Sequence, residues 1–116
     1  MALRLGRALG GGLGAGEVCG AVTGAAILLG LTREAAGDRE PQARAEVKLL
    51  TRRFLDLFIH GQGSIVCREL LGVDPSTQAG QRQALESDLF RTRCPGFVAA
   101  AGQALEQVLA AQALQP

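Results

Sequence analysis

Residues 10–30, GGGLGAGEVCGAVTGAAILLG, join a glycine-rich turn to an apolar segment of small residues. Glycine tolerates positive φ and close backbone approach, so the first half predicts a tight turn. Glu17 ahead of an apolar run is typical of a helix start, which predicts a helix over residues 17–31. Gly20 and Gly24 lie one helical turn apart and predict a groove for a close neighbour. We expect this helix to be central to the fold.

Cys19 falls in the first turn of this predicted helix. Unpaired N–H groups and the positive end of the helix dipole stabilise anions there, so we expect the thiolate of Cys19 to be favoured. A nucleotide loop is not favoured, because neither GxGxxG nor a Gly-Lys-Ser/Thr phosphate loop occurs and no strand pattern precedes the glycines, so that glycine content alone would support a pyrophosphate site. The stretch is therefore interpreted as one wall of a redox or metal site.

The composition favours a small helical domain. The chain has 116 residues, of which 47% are hydrophobic, which suffices for one core and one domain over residues 1–116. Its 16 glycines are about twice the ordinary usage, and β-branched residues are few. We therefore expect an all-α fold, a compact bundle of four to five helices.

Charge and hydropathy argue against several classes of partner. The net charge is +1, acids and bases are interspersed, and the aromatic residues are four phenylalanines, so no nucleic-acid surface is indicated. The apolar run over residues 18–31 is shorter than the ~20 residues that a membrane helix needs. We expect no membrane span, a cytoplasmic location, and no secreted disulfide scaffold, since three cysteines are an odd number.

The remaining helices follow from apolar periodicity and capping residues. Residues 1–9 predict the last turns of a helix, and residues 42–59 predict an amphipathic helix with Pro41 in its first turn and Asp38 or Glu40 as possible caps. His60 and Gly61 are expected at its C-terminus, where a partly charged imidazole suits the dipole better than a ligand role suits a lone histidine. Residues 77–93 predict one short helix.

Cys67 and Cys94 are also expected in first turns. Ser64 has the chemistry of an N-cap and places Cys67 at the N3 position of a short helix that ends before Gly72. Pro95 is favoured at the first position of a helix, which leaves Cys94 at the N-cap of the last helix. Three such placements indicate helix N-termini that converge on an anionic centre.

Arginines stand next to two of the three cysteines in the sequence. Arg68, Arg91 and Arg93 lie beside Cys67 and Cys94 in sequence, and inward-facing guanidinium groups would lower the thiol pKa values. Free cysteine also simply fills cores, so inert thiols remain an alternative. A zinc ribbon is not indicated, because CxxC is absent and a fourth ligand is missing.

Three blocks of the chain resemble one known family. CGAVTG at residues 19–24 after a glycine run, SIVCRELLG at residues 64–72 and CPGFV at residues 94–98 resemble, in this order, the family named after the pattern C, GCAxxG, C, C and described as redox-active. That family is small, helical and prokaryotic, and a related region occurs in split-Soret cytochromes. The family's first cysteine has no counterpart here.

The resemblance implies redox or iron–sulfur chemistry at Cys19, Cys67 and Cys94, with Gly20, Gly24, Ser64, Arg68 and Pro95 in supporting positions. Two kinds of site are compatible with such chemistry. One is an iron–sulfur cluster in which the three cysteines bind metal and a fourth ligand comes from outside the chain, and the other is a reversible disulfide between Cys67 and Cys94. Haem attachment is not indicated, because CxxCH is absent.

The sequence therefore predicts a redox or electron-transfer protein with a clustered cysteine site and a redox partner protein. No catalytic constellation beyond the cysteines identifies an enzyme. The alternative is a non-catalytic helical module that dimerises, with structural cysteines. The family's upstream helix would cover apolar surface, and without a counterpart of that helix the surface is exposed and favours self-association. We therefore expect a homodimer in either case.

Overall fold

Three long helices enclose the hydrophobic core of the computed structural model, which describes residues 6–33 and 39–113. They are α1 (Gly20–Leu31), α2 (Glu40–Gln62) and α5 (Leu89–Ala113), and each packs against the other two. Two shorter helices, α3 (Cys67–Leu71) and α4 (Gln78–Glu86), pack on α5. The predicted all-α fold is confirmed, and the described residues form no strand beyond one isolated bridge. The glycine-rich helix, expected to be central, shares the core with α2 and α5, which pack on each other more extensively than on α1.

The core is built on the apolar stripe of α2. Leu50, Phe54 and Phe58 recur every four residues and are almost fully buried. The two phenylalanine rings lie with their centroids 6.3 Å apart. Val22 and Leu29 of α1 meet this stripe, and three small or medium side chains of α5 close the core from the other side: Ala101, Ala104 and Val108.

The glycine turn, residues 10–16, is irregular and has left-handed backbone. Positive φ occurs at Gly11, Gly12, Gly14 and Gly16, and also at Leu13. Gly12 has no room for a side chain, because a Cβ there would lie 2.6 Å from the carbonyl oxygen of Glu17. The predicted tight turn is therefore confirmed, and glycine is required within it at Gly12.

Several predicted helix boundaries are wrong. The helix predicted from residue 17 begins at Gly20, because Glu17 has non-helical backbone and Val18 pairs with Val66 in an isolated bridge. The helix predicted over residues 42–59 runs from Glu40 to Gln62, so Gly61 is helical, and Gly63 ends it with a φ of 91°. Of the turns predicted over residues 1–9, a short 3-10 turn at Arg7–Leu9 is described; residues 1–5 and the possible cap Asp38 lie outside the described residues.

The C-terminal third holds the two helices that were predicted there, but the second of them starts earlier than predicted. Thr77 caps α4 by accepting a hydrogen bond from the N–H of Gly80, and α4 ends at Glu86. The last helix then begins at Leu89 rather than at Pro95. In the described ranges, every helix is too short or too polar to cross a bilayer.

Candidate functional site

An isolated antiparallel bridge joins the starts of the two helices that follow Cys19 and Cys67. Val18 pairs with Val66, the N–H of Cys19 donates to the Ile65 carbonyl at 2.7 Å, and the N–H of Cys67 donates to the Glu17 carbonyl at 2.5 Å. In such a bridge Cys19 and Cys67 are diagonal neighbours on one face, at a Cα separation of about 7–8 Å. The bridge therefore brings two cysteines together that are far apart in sequence.

The third cysteine comes from α5. Cys94 lies in the second turn of α5 and Pro95 lies inside the helix, so the predictions of Cys94 as N-cap and Pro95 as first helical residue are wrong. Proline inside a helix has no N–H for the carbonyl four residues earlier, here that of Arg91. Cys94 thus reaches the site from the side of a helix rather than from its N-terminus.

The cysteines of the other two segments lie at helix starts, with corrected positions. Cys19 is the N-cap of α1, and Cys67 is the first residue of α3 rather than its third. Ser64 is not the N-cap, a position held by Val66. The hydroxyl of Ser64 instead accepts from the N–H of Val66 at 3.0 Å and donates to Glu69 at 2.7 Å, which fixes the approach to α3.

All three cysteines line one cavity of about 590 Å³. Its walls come from the glycine turn, α1, α3 and α5, and Gly24, Phe97 and Leu105 are among its lining residues. Among the described residues that line it, none carries a charge and the cysteines alone bear side-chain heteroatoms. The predicted clustering of the cysteines is thus a clustering around an apolar space.

The two glycines of the predicted groove have different roles. A Cβ at Gly20 would lie 2.9 Å from the carbonyl oxygen of Leu9, so the close neighbour at this position is the backbone that enters the glycine turn. A Cβ at Gly24 would meet nothing within 4 Å, because Gly24 faces the open cavity. The absence of a side chain at Gly24 leaves the cavity its volume.

The arginines next to the cysteines bind backbone carbonyls and carboxylates rather than the thiols. Arg68 donates to the Gly16 carbonyl at 3.2 Å and to the Glu17 carboxylate at 2.9 Å. Arg93 donates to the carbonyls of the last two residues of α3, at 3.3 and 3.2 Å. These bonds tie the three cysteine-bearing segments to one another. Arg91 pairs with Asp88 of its own helix turn.

Burial raises the pKa of the thiols of Cys67 and Cys94, which is the reverse of the thiolate-favouring sites that the sequence predicted. For Cys67 the desolvation is reinforced by negative charge on Cys19, on Cys94 and then on Asp74. For Cys94, burial again comes first and charge on Cys19 second. The thiol form of both residues is favoured, because an anion in an apolar wall loses its hydration.

Accessibility separates the three thiols, and the structure holds no disulfide between them. Cys19 and Cys67 are 8% and 7% exposed, whereas Cys94 is only partly buried. A reagent from solvent therefore meets Cys94 first. His60 does not line the cavity; it lies exposed in the last turn of α2, beside a second hollow of about 230 Å³.

The described residues do not present a ready metal site. In residues 6–33 and 39–113, no three His, Cys, Asp or Glu side chains are arranged to hold one metal ion. An iron–sulfur cluster is held by four thiolates, and this chain has three cysteines. As they stand, these residues do not fit a cluster or a metal ion.

Sequence reasoning missed the bridge and the role of Arg93. A signal for the bridge was present, because a valine precedes both Cys19 and Cys67 in a chain with few β-branched residues. No local signal marks Arg93, since its partners lie more than twenty residues earlier in the chain.

One family model matches residues 1–108, and its description is "Putative redox-active protein (C_GCAxxG_C_C)". No curated protein and no solved structure matches the chain.

Proposed function

Since the chain belongs to the C_GCAxxG_C_C family of proteins described as redox-active, we propose that it is a thiol redox protein in which Cys67 and Cys94 form a reversible disulfide. The observation that carries the proposal is the position of all three free thiols around one cavity. Inert cysteines that merely fill a core would not be expected to border the same space.

The choice of pair follows from exposure and backbone constraint. Cys94 is the accessible thiol, and it lines the same cavity as Cys67. The hydrogen bonds of Arg93 to the end of α3 hold the segment that carries Cys94 against the helix that Cys67 begins. Cys19 and Cys67 are held diagonally across the bridge at a separation at or beyond the usual Cα limit of a disulfide, which is about 7 Å. Cys19 is therefore assigned as the third wall of the site, not as a member of the pair.

The oxidant in this scheme is a disulfide on a redox partner protein. Deprotonated Cys94 attacks one sulfur of the partner's disulfide, which forms a mixed disulfide and releases one thiolate. Deprotonated Cys67 then attacks Cys94, which forms the Cys67–Cys94 disulfide and releases the second thiolate. The protons of the two cysteines end on the two released thiolates, so two thiols and one disulfide become one disulfide and two thiols.

The test is oxidation of the reduced chain by diamide without air, followed by tryptic mapping. We expect one disulfide per chain that links the peptide of residues 54–68 to that of residues 94–116. Cys19→Ala is the matched control and should still form it, whereas Cys67→Ala and Cys94→Ala should not. Three thiols that stay reduced in folded protein, or a crosslink from Cys19 to Cys67 or to Cys94, would overturn the assignment, and the first result would favour the non-catalytic dimerising module.

A further inference from the structure

The cavity has the dimensions of a small-molecule site. Its volume of about 590 Å³ lies within the range of about 300–1,000 Å³ that is typical of ligand pockets. Leu28 and Val98 line it and are 52% and 60% exposed, so the cavity opens to solvent through an apolar rim. A molecule of moderate size can therefore enter without the helices separating.

The lining determines the charge of any ligand. None of the described lining residues is charged, and glycines, aliphatic side chains and two phenylalanines make up the walls apart from the cysteines. An ion would lose its hydration in such a space without gaining a partner. The ligand must therefore be apolar and uncharged.

The thiols of Cys67 and Cys94 on the cavity wall call for a ligand that can accept electrons from them. We propose that the cavity binds an apolar quinone, which accepts two electrons and two protons from Cys67 and Cys94. This inference rests on the proposed function, because it gives the same thiol pair a second oxidant besides the disulfide of a partner protein.

The reaction transfers two electrons and two protons from the cysteine pair to the quinone. Two S–H bonds break and one S–S bond forms, so the cysteine pair is oxidised by two electrons. The quinone gains those electrons, and its two carbonyl oxygens gain the two protons to give a hydroquinone. A quinone and its hydroquinone are both neutral, so a wall without charges accommodates reactant and product alike. Thiols that retain their protons, as burial favours at Cys67 and Cys94, are suited to deliver them together with the electrons.

The test uses duroquinone, whose fully substituted ring leaves no position for a thiol to alkylate. Reduced protein without air is mixed with duroquinone, and hydroquinone is followed by absorbance while thiols are counted. We expect one hydroquinone and one Cys67–Cys94 disulfide per chain. Gly24→Leu should slow this reaction at least about tenfold, because leucine would fill the open space beside Gly24.

Matched glycines keep the test specific. Gly30→Leu adds the same side chain to an exposed position of α1 outside the cavity, also with nothing within 4 Å, and should react with duroquinone like the unaltered protein. Gly102→Leu fills the cavity from α5 and serves as a second test should Gly24→Leu not fold. Diamide oxidation, which does not depend on a binding cavity, should proceed in all three variants.

The outcomes separate the two proposals. If duroquinone oxidises Gly24→Leu, Gly102→Leu and Gly30→Leu equally fast, the cavity is not the site of the reaction and the inference is wrong. The inference also fails if diamide forms the disulfide and duroquinone does not, while the proposed function stands. If neither oxidant forms the disulfide, both fail.

Discussion

Cys67 and Cys94 illustrate how the surroundings of a residue override its local position. Cys67 begins a helix, where the dipole favours a thiolate, yet burial and neighbouring negative charge raise its pKa. The pKa of Cys94 is also raised, and burial is again the main cause. Cys67 and Cys94 therefore hold their protons at neutral pH and react slowly with polar thiol reagents.

The pH dependence of alkylation follows from these shifts. Because the thiolate is the nucleophile and its pKa is raised, the rate of Cys94 alkylation by iodoacetamide should still be rising above about pH 8.5, where an ordinary thiol begins to level off. Peptide mass spectrometry measures the rate, with glutathione as the reference in the same buffers. A profile that levels off at or below that of glutathione would contradict the raised pKa.

Gly12 is the glycine that the turn cannot exchange. Gly12→Ala should lower the free energy of unfolding by about 3 kcal/mol or more, because its φ of 62° is combined with a Cβ clash against the Glu17 backbone. Gly11→Ala is the matched control: its φ is 63° but the space is open, so a loss of about 1–2 kcal/mol is expected. Urea unfolding measures both, and equal losses would show that the clash is absent.

At the scale of the element, α5 carries Cys94 because the helix starts before its proline. Leu89 begins the helix, so Pro95 sits in the second turn and deprives the Arg91 carbonyl of its helical donor. Arg93, on the same turn, binds the end of α3 and so couples the position of Cys94 to that of Cys67.

Replacement of this proline should stabilise the helix. Pro95→Ala restores a backbone donor within α5 and should raise the free energy of unfolding by about 1–3 kcal/mol. Pro75→Ala, in the loop before α4, should instead lower it by less than about 1 kcal/mol, since proline restricts the unfolded chain. Urea titration followed by circular dichroism compares the two. A Pro95→Ala variant less stable than the parent would indicate that the proline packs favourably where it is.

At the scale of the whole molecule, α1 divides its surface between core, cavity and solvent. Val22 and Leu29 are buried, Gly24 faces the cavity, and Ile27 and Leu31 are 55% and 69% exposed. Apolar side chains grouped on one exposed face are typical of contact surfaces. The expected homodimer stays a prediction, and this face of α1 is where we expect it to form.

Light scattering at several protein concentrations tests the homodimer. Leu31→Glu should weaken dimerisation at least about tenfold, because a carboxylate would be buried in the interface. Leu85→Glu, at an equally exposed leucine on α4, should leave it unchanged. A parent protein that is monomeric at every concentration would show the expectation to be wrong.

The sequence by itself determined the helical class, the apolar stripe of α2, the tight glycine turn and the identity of the three cysteines, because periodicity, glycine content and residue type are local properties. Residues 64–72 show the limit of local signals: Ser64 has the chemistry of a cap, but the hydrogen bonds of the Val18–Val66 bridge move the helix start to Cys67. Pro95 shows the same limit, since its preference for a first turn was outweighed by a helix that starts at Leu89.

Only the tertiary structure decided that the three cysteines line one cavity. The glycine turn leads into Val18, which pairs with Val66 in an isolated bridge, 48 positions later in the chain, and so places Cys19 beside Cys67. The packing of α5 then adds Cys94 and leaves a cavity among the three thiols whose described lining residues carry no charge. Burial, which raises the pKa values of Cys67 and Cys94, depends on contacts between distant segments and is not written in the neighbours of either residue.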